Sequence, residues 1–175
     1  MPKVTPFLWL ESGALDAARF YVSLFPNSEV TGGEAAGPGG PPLTVSFKLD
    51  GVEFIALNGG PHFKLNEAFS MSVSCQDQAE VDRLWEALTA DGGEPGRCGW
   101  LKDRFGVSWQ IVPVQLHACL GHPDPVKAER ARQAMFTMSK LDIAALEAAV
   151  AGRAGRLAPE RAAEQIIRGL QRNKR

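Results

Sequence analysis

Residues 54–75, FIALNGGPHFKLNEAFSMSVSC, decide how the rest of the chain is interpreted. A strand-like run ends at Asn58, a turn follows at GGP, and a polar segment containing His62 leads to a second alternating run from Phe69. The chain before this stretch and the chain after it repeat one succession of predicted elements. A repeat determines the whole fold where it is present, so the stretch is interpreted as the seam of an internal duplication.

The first half is predicted to run strand, helix, short strand and hairpin. Apolar residues at helical spacing, among them Leu15 and Leu24, indicate the helix. Asp50-Gly51 is a strong two-residue turn signal and predicts the hairpin. The predicted elements are a strand about Phe7, a helix over 14–25, a short strand over 28–31, a glycine- and proline-rich surface loop over 32–42, and hairpin strands over 43–49 and 52–58.

The second half is predicted to repeat this succession. Asp77 followed by Glu80 is a capping-box pattern, which indicates the start of a helix. Gly51-Val52 of the first hairpin aligns with Gly106-Val107 of the second, so the predicted fold is α+β with tandem βαβββ modules. The predicted elements are a strand over 69–75, a helix over 79–90, and hairpin strands over 98–102 and 107–113 about a turn at 104–106.

The chain after Pro113 is predicted to be helical. Pro123-Asp124-Pro125 indicates a helix entry, with an apolar stripe that runs through Lys140, and Asp142 indicates the cap of a second helix that Gly152 closes. His117 and His122 are assigned to a polar linker. The predicted domains are residues 3–113 with modules 3–58 and 69–113, a helical extension over 114–152, and a basic tail over 153–175.

Composition excludes several classes of function. The 175 residues are 45% apolar and 22% charged, and the net charge of -1 gives no general attraction to nucleic acid or to an anionic membrane. No apolar run approaches the ~18–20 residues of a membrane-spanning helix, and the N-terminal residues lack a signal-peptide cleavage pattern. Three widely spaced cysteines predict neither a disulfide framework nor a zinc site, so a cytoplasmic protein is expected.

One face of the predicted strands is polar. In the second half it carries Ser70, Ser72, Ser74, Ser108 and Gln110, and the matching face of the first half carries Thr44, Ser46 and Lys48. Such a face is either the wet side of an antiparallel sheet or the wall of a ligand cavity. The residues alone leave both readings open.

Few residues have the chemistry of a catalytic centre. His62, after the Gly-Gly-Pro turn and near Asn58, is either a base at a cavity mouth or a loop histidine that closes backbone hydrogen bonds. Cys98 is interpreted as a structural thiol, because Arg97 is its only evident activator. The three histidines show no metal-ligand spacing, and Trp100 is the tryptophan best placed to line a pocket.

Four segments together resemble a known family. PFLWLESGALDAARFYVSLFPNS, ALNGGPHFKLNEAFSMSV, CGWLKDRFGVSWQIVP and KLDIAALEAAVAG are similar to the PhnB-like branch of the glyoxalase/vicinal oxygen chelate superfamily, over about residues 3–152. This branch is often catalogued under a demethylubiquinone methyltransferase label. The resemblance implies paired βαβββ modules that form a half-open barrel around a cleft, usually in homodimers.

The resemblance also implies where a metal would be held. The superfamily's ligand positions fall near Thr5 or Pro6 and at Ile55, Ser70 and Gln110, of which only Gln110 is a plausible ligand. No cofactor is therefore predicted, although a divalent metal is not excluded. The methyltransferase label gains no physical support, because the chain lacks the parallel sheet with a glycine loop that is typical of such enzymes.

Three hypotheses follow. The first is a cytoplasmic, homodimeric, metal-free protein that binds a small organic molecule, and neither nucleic acid nor membrane. The second is an enzyme on a small metabolite, either metal-dependent or a methyltransferase, and the third is an interaction protein that uses its C-terminal helices. The predicted ligand-binding residues are Phe7, Trp9, Ser70, Ser72, Trp100 and Gln110, with Asn58 and His62 at the rim.

Overall fold

The computed structural model describes residues 3–153, so the basic tail predicted over 153–175 lies outside the described residues beyond Arg153. The strands are β1 (Phe7–Leu10), β2 (Glu29–Ala35), β3 (Pro42–Leu49), β4 (Val52–Asn58), β5 (Met71–Cys75), β6 (Glu94–Pro95), β7 (Trp100–Lys102) and β8 (Ser108–Pro113). The helices are α1 (Ala14–Leu24), α2 (Gln78–Thr89), α3 (Gln115–Leu120), α4 (Pro125–Phe136) and α5 (Ile143–Val150). None of the helices in this described range is long and apolar enough to cross a membrane.

The predicted duplication is confirmed. Both halves run strand, helix, strand, strand, strand, and the two four-stranded sheets have corresponding orders, β1-β4-β3-β2 and β5-β8-β7-β6. In the first sheet β1 pairs with β4 in parallel, whereas β3 is antiparallel to both β2 and β4. The α+β class with tandem βαβββ modules and C-terminal helices is therefore observed.

The chain divides into two compact units that do not coincide with the two modules. Within the described range, the first unit contains residues 3–73, 83–95 and 101–110, and the second contains 74–82, 96–100 and 111–153.

The hairpin of β3 and β4 forms as predicted. Leu49 pairs with Val52 across the turn, and Asp50 and Gly51 have φ angles of 46° and 80°. Two positive φ angles in succession are typical of the turn type that matches the twist of a two-residue hairpin, which explains why Asp-Gly occupies it.

The prediction of a loop over 32–42 is partly wrong, because β2 continues to Ala35 and β3 already begins at Pro42. A Cβ atom on Gly33 would lie 2.2 Å from the carbonyl oxygen of Thr44. Glycine is therefore needed at this position for the close approach of two paired backbones, and not for flexibility.

Helix α1 covers β3, and its buried face agrees with the predicted apolar spacing at Ala18 and Tyr21 but not at Leu15 and Leu24. The buried residues are Ala14, Ala17, Ala18 and Tyr21, whereas Leu15 and Leu24 are only partly buried. Three of the four are alanines, whose small side chains let the helix lie close to the sheet. On β3 the side chains of Val45, Phe47 and Leu49 are buried.

The predicted capping box of α2 is confirmed with a small difference. Asp77 Oδ1 accepts the backbone N–H of Glu80 at 2.9 Å, and Glu80 Oε2 accepts the backbone N–H of Gln76 at 2.8 Å. The returning bond thus reaches one residue earlier than in the usual box, and it still satisfies a backbone donor at the helix start.

The second unit contains the three C-terminal helices. Asp124 and Asp142 cap α4 and α5 as predicted, each accepting a backbone N–H. Two predictions are wrong: α4 ends at Phe136 and not at Lys140, and the region assigned to a polar linker contains α3. The buried cluster of this unit is Leu116, Cys119, Ala131, Leu141 and Leu146.

Candidate functional site

The face of the first sheet that points away from α1 is the polar face predicted from the sequence. Thr44, Ser46 and Lys48 of β3 are partly buried and alternate with the buried residues that pack under the helix. The period of two along a strand puts these three side chains on one face. This alternation is confirmed.

Strand register brings three further residues onto that face. Ile55 of β4 is the partner of Ser46 on one side and of Phe7 on the other. Gly32 of β2 is the partner of Ser46, so one transverse row runs from β1 to β2. The row combines an exposed aromatic ring, an aliphatic side chain and a hydroxyl.

Two pockets lie along this face and share Ser46 and Ile55. One has a volume of about 450 Å3 and is lined by Phe7, Gly33, Glu34, Thr44, Ser46 and Ile55. The other, of about 290 Å3, adds Thr5, Thr31, Gly32, Lys48 and Glu53 along the same strands. We refer to the surface formed by Phe7, Thr44, Ser46, Lys48, Glu53 and Ile55 as the sheet-face site.

The chemistry of the sheet-face site is mixed. Phe7 and Ile55 give it an apolar floor, and Ser46 supplies a hydroxyl beside them. Lys48 Nζ lies 3.6 Å from Glu29 Oε1, which is a loose ion pair, and it is the register partner of Glu53. An apolar floor with a few convergent polar groups is the composition typical of small-molecule pockets.

Asn58 has a structural role that the sequence analysis did not identify. Its Oδ1 accepts the backbone N–H of Ala14 at 2.8 Å, and its Nδ2 donates to the carbonyl of Pro42 at 2.8 Å. The residue at the N-cap of α1, Gly13, makes no side-chain capping bond. Asn58 therefore supplies from β4 the acceptor that the N-terminus of α1 needs. Its place at a cleft rim stays a prediction.

Trp9 lies in β1, and His62 lies in the segment that connects β4 to β5. Trp9 is half-buried, and its Nε1 donates to the carbonyl of Gly60 at 2.9 Å. Phe63 packs edge-on against the Trp9 ring at a centroid distance of 4.9 Å. His62 is exposed, and nothing in its surroundings tests a role as a base.

Ser70 and Gln110, predicted to share the polar face of the second half, do meet. Gln110 Nε2 donates to Ser70 Oγ at 2.9 Å. Ser108, on the same face of β8, is 2% exposed, and its Oγ has no hydrogen-bond partner among the described residues. A buried hydroxyl without a partner is uncommon and is satisfied in many proteins by water or a ligand. Ser72 is exposed.

Trp100 and Cys98 belong to the second unit. Trp100 is partly buried at the start of β7, where its backbone N–H donates to the carbonyl of Arg97. Cys98 is partly buried with a φ angle of 55°, and its backbone N–H donates to the carbonyl of Met138. Both residues thus take part in local backbone structure, and a ligand contact for Trp100 stays a prediction.

Tyr21 and Asp103 are two titratable groups with shifted pKa values, and they hydrogen-bond each other in the core of the first unit. Burial raises the pKa of Tyr21 well above its ordinary value, and the neighbouring Asp103 carboxylate adds to this effect. Burial also raises the pKa of Asp103 and outweighs the hydrogen bonds that favour its charged form. Neither residue lines the sheet-face site, so their pKa shifts indicate a structural network.

The four positions that the family resemblance implies for a metal do not fit one. Ile55 and Pro6 have no side-chain donor atom, Thr5 and Ser70 offer only neutral hydroxyls, and Gln110 offers a single neutral amide oxygen. Within residues 3–153 no group of three or more histidine, cysteine, aspartate or glutamate residues is arranged to hold a metal ion. Divalent transition metals need several imidazole, thiolate or carboxylate donors, which these positions lack.

Comparison with known proteins gives one family and several similar structures. A family model described as 3-demethylubiquinone-9 3-methyltransferase matches residues 2–112. The structure of a PhnB protein from Bacillus cereus is 32% identical, with 65% of this chain and 100% of that protein covered, at a TM-score of 0.59. The predicted PhnB-like resemblance is thereby confirmed.

Two more distant structures are also similar. A protein from Pseudomonas aeruginosa is 20% identical over 62% of this chain and 95% of its own, with a TM-score of 0.51, and supports the fold alone. The fosfomycin resistance protein FosX from Listeria monocytogenes is 15% identical over 62% of this chain and 89% of its own, with a TM-score of 0.44. No curated protein matches the chain significantly.

Proposed function

Because the chain belongs to the family described as 3-demethylubiquinone-9 3-methyltransferase, the PhnB-like family, we propose that it binds a small organic molecule at its sheet-face site. Binding in this proposal uses no metal at the four implied positions. The ligand rests its apolar part on Phe7 and Ile55 and exchanges hydrogen bonds with the hydroxyls of Thr44 and Ser46.

The observation that carries this proposal is the pair of pockets that share Ser46 and Ile55. Each is smaller than, or near the lower end of, the range typical of ligand sites, and together they extend across all four strands of the first sheet. Thr44 Oγ1 makes only a long bond of 3.3 Å to the backbone N–H of Glu34. Its hydroxyl is therefore weakly engaged and available to a ligand.

The proposal is tested with neutral probes that match the site. Phenol, cyclohexanol and resorcinol are screened against the full chain by saturation-transfer-difference NMR. The variant Ile55→Trp fills the pockets with an indole, and Val52→Trp is the matched control, because Val52 is exposed and lies on the other face of β4. We expect cyclohexanol signals from the wild type and from Val52→Trp, and none from Ile55→Trp. Cyclohexanol signals that persist in Ile55→Trp, or the absence of all probe signals from the wild type at millimolar concentration, would reject the sheet-face site.

The proposal extends to assembly and location, as a homodimer in the cytoplasm. Sedimentation velocity across a range of protein concentrations tests the dimer. A single species at the monomer mass would reject it. Fractionation of cells that express the tagged full chain tests the location, and recovery with the membrane or secreted fraction would reject it.

The family description offers a second candidate, methyl transfer to a small metabolite. The first sheet is mixed. Its one parallel pair is β1 with β4, and the chain runs through α1, β2 and β3 between these two strands. S-adenosylmethionine is therefore not expected to bind, since the enzymes that typically use it have a parallel sheet in which a glycine-rich loop leads into a helix. Calorimetric titration with S-adenosylmethionine distinguishes the two candidates, and saturable binding would favour the methyltransferase.

A further inference from the structure

A second concave surface of the first unit is not part of the sheet-face site. It has a volume of about 490 Å3 and lies between the end of β1, the segment that connects β4 to β5, and the turn before β8. Aromatic and charged side chains dominate its lining. We call it the aromatic groove and define it by Trp9, Glu11, Phe63, Lys64, Arg104 and Phe105.

One wall of the aromatic groove is held rigidly. The Trp9 indole is fixed by its hydrogen bond to the Gly60 carbonyl, and a Cβ atom on Gly59 would lie only 2.2 Å from the ring. Glycine at 59 thus lets the backbone lie directly against the indole. Phe63, which is 65% exposed, continues this wall edge-on from Trp9. A large exposed aromatic side chain beside a fixed ring is a surface that favours a flat ligand.

The opposite wall, formed by Arg104 and Phe105, is held in place by the buried carboxylate of Asp103. Asp103 Oδ1 accepts the backbone N–H of Phe105 at 2.8 Å and that of Val107 at 3.0 Å, which fixes the turn. The Phe105 ring packs against Tyr21 at a centroid distance of 5.9 Å. The Arg104 guanidinium lies 5.0 Å from the centre of the Phe105 ring. Trp9 and the turn that carries Phe105 are therefore held in place before any ligand binds.

The charges of the aromatic groove favour an anion. Lys64 and Arg104 are cationic, and Glu11 is the single acidic residue among its lining residues. Lys64 has no ion-pair partner within residues 3–153. Arg104 forms an ion pair with the exposed Asp91, and its guanidinium also lies 4.3 Å from the centre of the Phe20 ring. An exposed pair of this kind is weak, so it competes little with a ligand carboxylate.

We propose that the aromatic groove binds a small aromatic carboxylate, with the ring against Trp9 and Phe63 and the carboxylate toward Lys64 and Arg104. This is a second site, and it does not depend on binding at the sheet-face site. The ligand class follows from two aromatic walls and an excess of positive charge.

The test uses 2-naphthoate, titrated by calorimetry into the full chain at low salt. Two comparison probes separate its features: 2-naphthylmethylamine keeps the rings and reverses the charge, and cyclohexanecarboxylate keeps the charge without the aromatic face. We expect 2-naphthoate to bind at least about tenfold more tightly than either, because the ring and the carboxylate both contribute. Equal affinity for the amine or for the non-aromatic acid would overturn the proposal.

Three variants complete the experiment. Lys64→Glu is expected to weaken 2-naphthoate binding by about five- to tenfold, because it replaces attraction with repulsion at one ligand-facing charge. Lys127→Glu, the same change on α4 and outside the groove, is expected to leave affinity unchanged, as is Ile55→Trp, which blocks the sheet-face site. Unchanged affinity in Lys64→Glu, or lost binding in Ile55→Trp, would overturn the assignment. Lys64 is exposed, so its replacement leaves the fold intact.

Discussion

The hydroxyl of Tyr21 donates a hydrogen bond to the carboxylate of Asp103 across 2.7 Å, which joins α1 to the turn before β8. The same carboxylate accepts Trp109 Nε1 at 2.8 Å and the backbone N–H groups of Phe105 and Val107. Asp103 is 3% exposed, so its desolvation is offset only by these four donors. One side chain therefore organises the polar part of this core.

Removing the Asp103 side chain should destabilise the protein strongly. Asp103→Ala leaves four buried donors without their acceptor, and we expect the free energy of unfolding to fall by about 3–5 kcal/mol. Urea denaturation measures it. Asp91→Ala is the control, because this exposed carboxylate pairs with Arg104 at the surface and its loss should cost less than about 1 kcal/mol. A loss below 1 kcal/mol for Asp103→Ala would contradict the role assigned to the network.

Asp103 also predicts a pH dependence of stability. Burial raises the pKa of its carboxyl, so the folded state holds the proton more readily than the unfolded chain does. Its stabilising contribution is therefore fully present below the unfolded pKa, about 3.9, and is lost as pH rises through the folded pKa. The measurement is the unfolding free energy of the wild type minus that of Asp103→Asn, followed upward from about pH 3. We expect this difference to fall with rising pH, and an increase would show that the hydrogen bonds outweigh burial.

The elements that the sequence predicted well are those whose local signals need no distant partner. The Asp50-Gly51 turn and the Asp77 and Asp142 caps each act within a few residues, and all three are found where they were expected. The repetition of the βαβββ order follows from these local signals taken together.

The features that the sequence did not predict are mainly those that depend on residues far away along the chain. Gly33 was interpreted as part of a loop, although its lack of a side chain serves the approach of the Thr44 backbone. Asn58 was predicted only as a residue of the cleft rim, and its capping bond to a helix 44 residues earlier in the chain was not foreseen. Helix α3 is six residues long, and its signal was only the spacing of Leu116, Cys119 and Leu120.

The polar face was predicted, with a ligand cavity along it as one of two open readings, but the pairing of strands that builds the pockets was not predicted. Alternation along β3 identified Thr44, Ser46 and Lys48, because the side-chain period of a strand is local. The row from Phe7 through Ile55 to Ser46 depends on a parallel pairing between β1 and β4, which lie almost fifty residues apart. The alternation within each strand limits the register, but it does not tell which distant strand will be the partner.

Replacing Gly59 by any residue with a side chain should destabilise the protein. In Gly59→Ala the new Cβ would overlap the Trp9 indole, so the ring must move and its bond to the Gly60 carbonyl is lost. We expect a loss of about 1–3 kcal/mol in the free energy of unfolding. Trp9→Leu removes the overlapping ring, so Gly59→Ala should cost clearly less in that background. Equal costs in the two backgrounds would show that the clash is not with Trp9.

Gln78 is only partly buried, but we expect it to contribute substantially to the stability of the second unit. Its Oε1 accepts the backbone N–H of Ile143 at 2.9 Å, and its Nε2 donates to the carbonyl of Leu141 at 3.1 Å. The Ile143 N–H belongs to the first turn of α5, where no earlier carbonyl is available to it. Gln78 Nε2 also donates to Asp82 Oδ1 at 3.0 Å. Gln78→Met keeps the length of the side chain and removes all three bonds, and we expect the unfolding free energy to fall by about 1–3 kcal/mol.

The matched control for Gln78→Met is Gln133→Met on α4, where the amide is exposed and bonds only Glu129. That change should stay within about 0.5 kcal/mol, since surface substitutions away from buried networks have small effects. Hydrogen exchange provides a second readout, because the Ile143 amide should exchange faster in Gln78→Met than in the wild type. Equal exchange at Ile143 together with equal stability would show that solvent replaces Gln78 without cost, and that α5 is held by the apolar contacts of Leu141 and Leu146 alone.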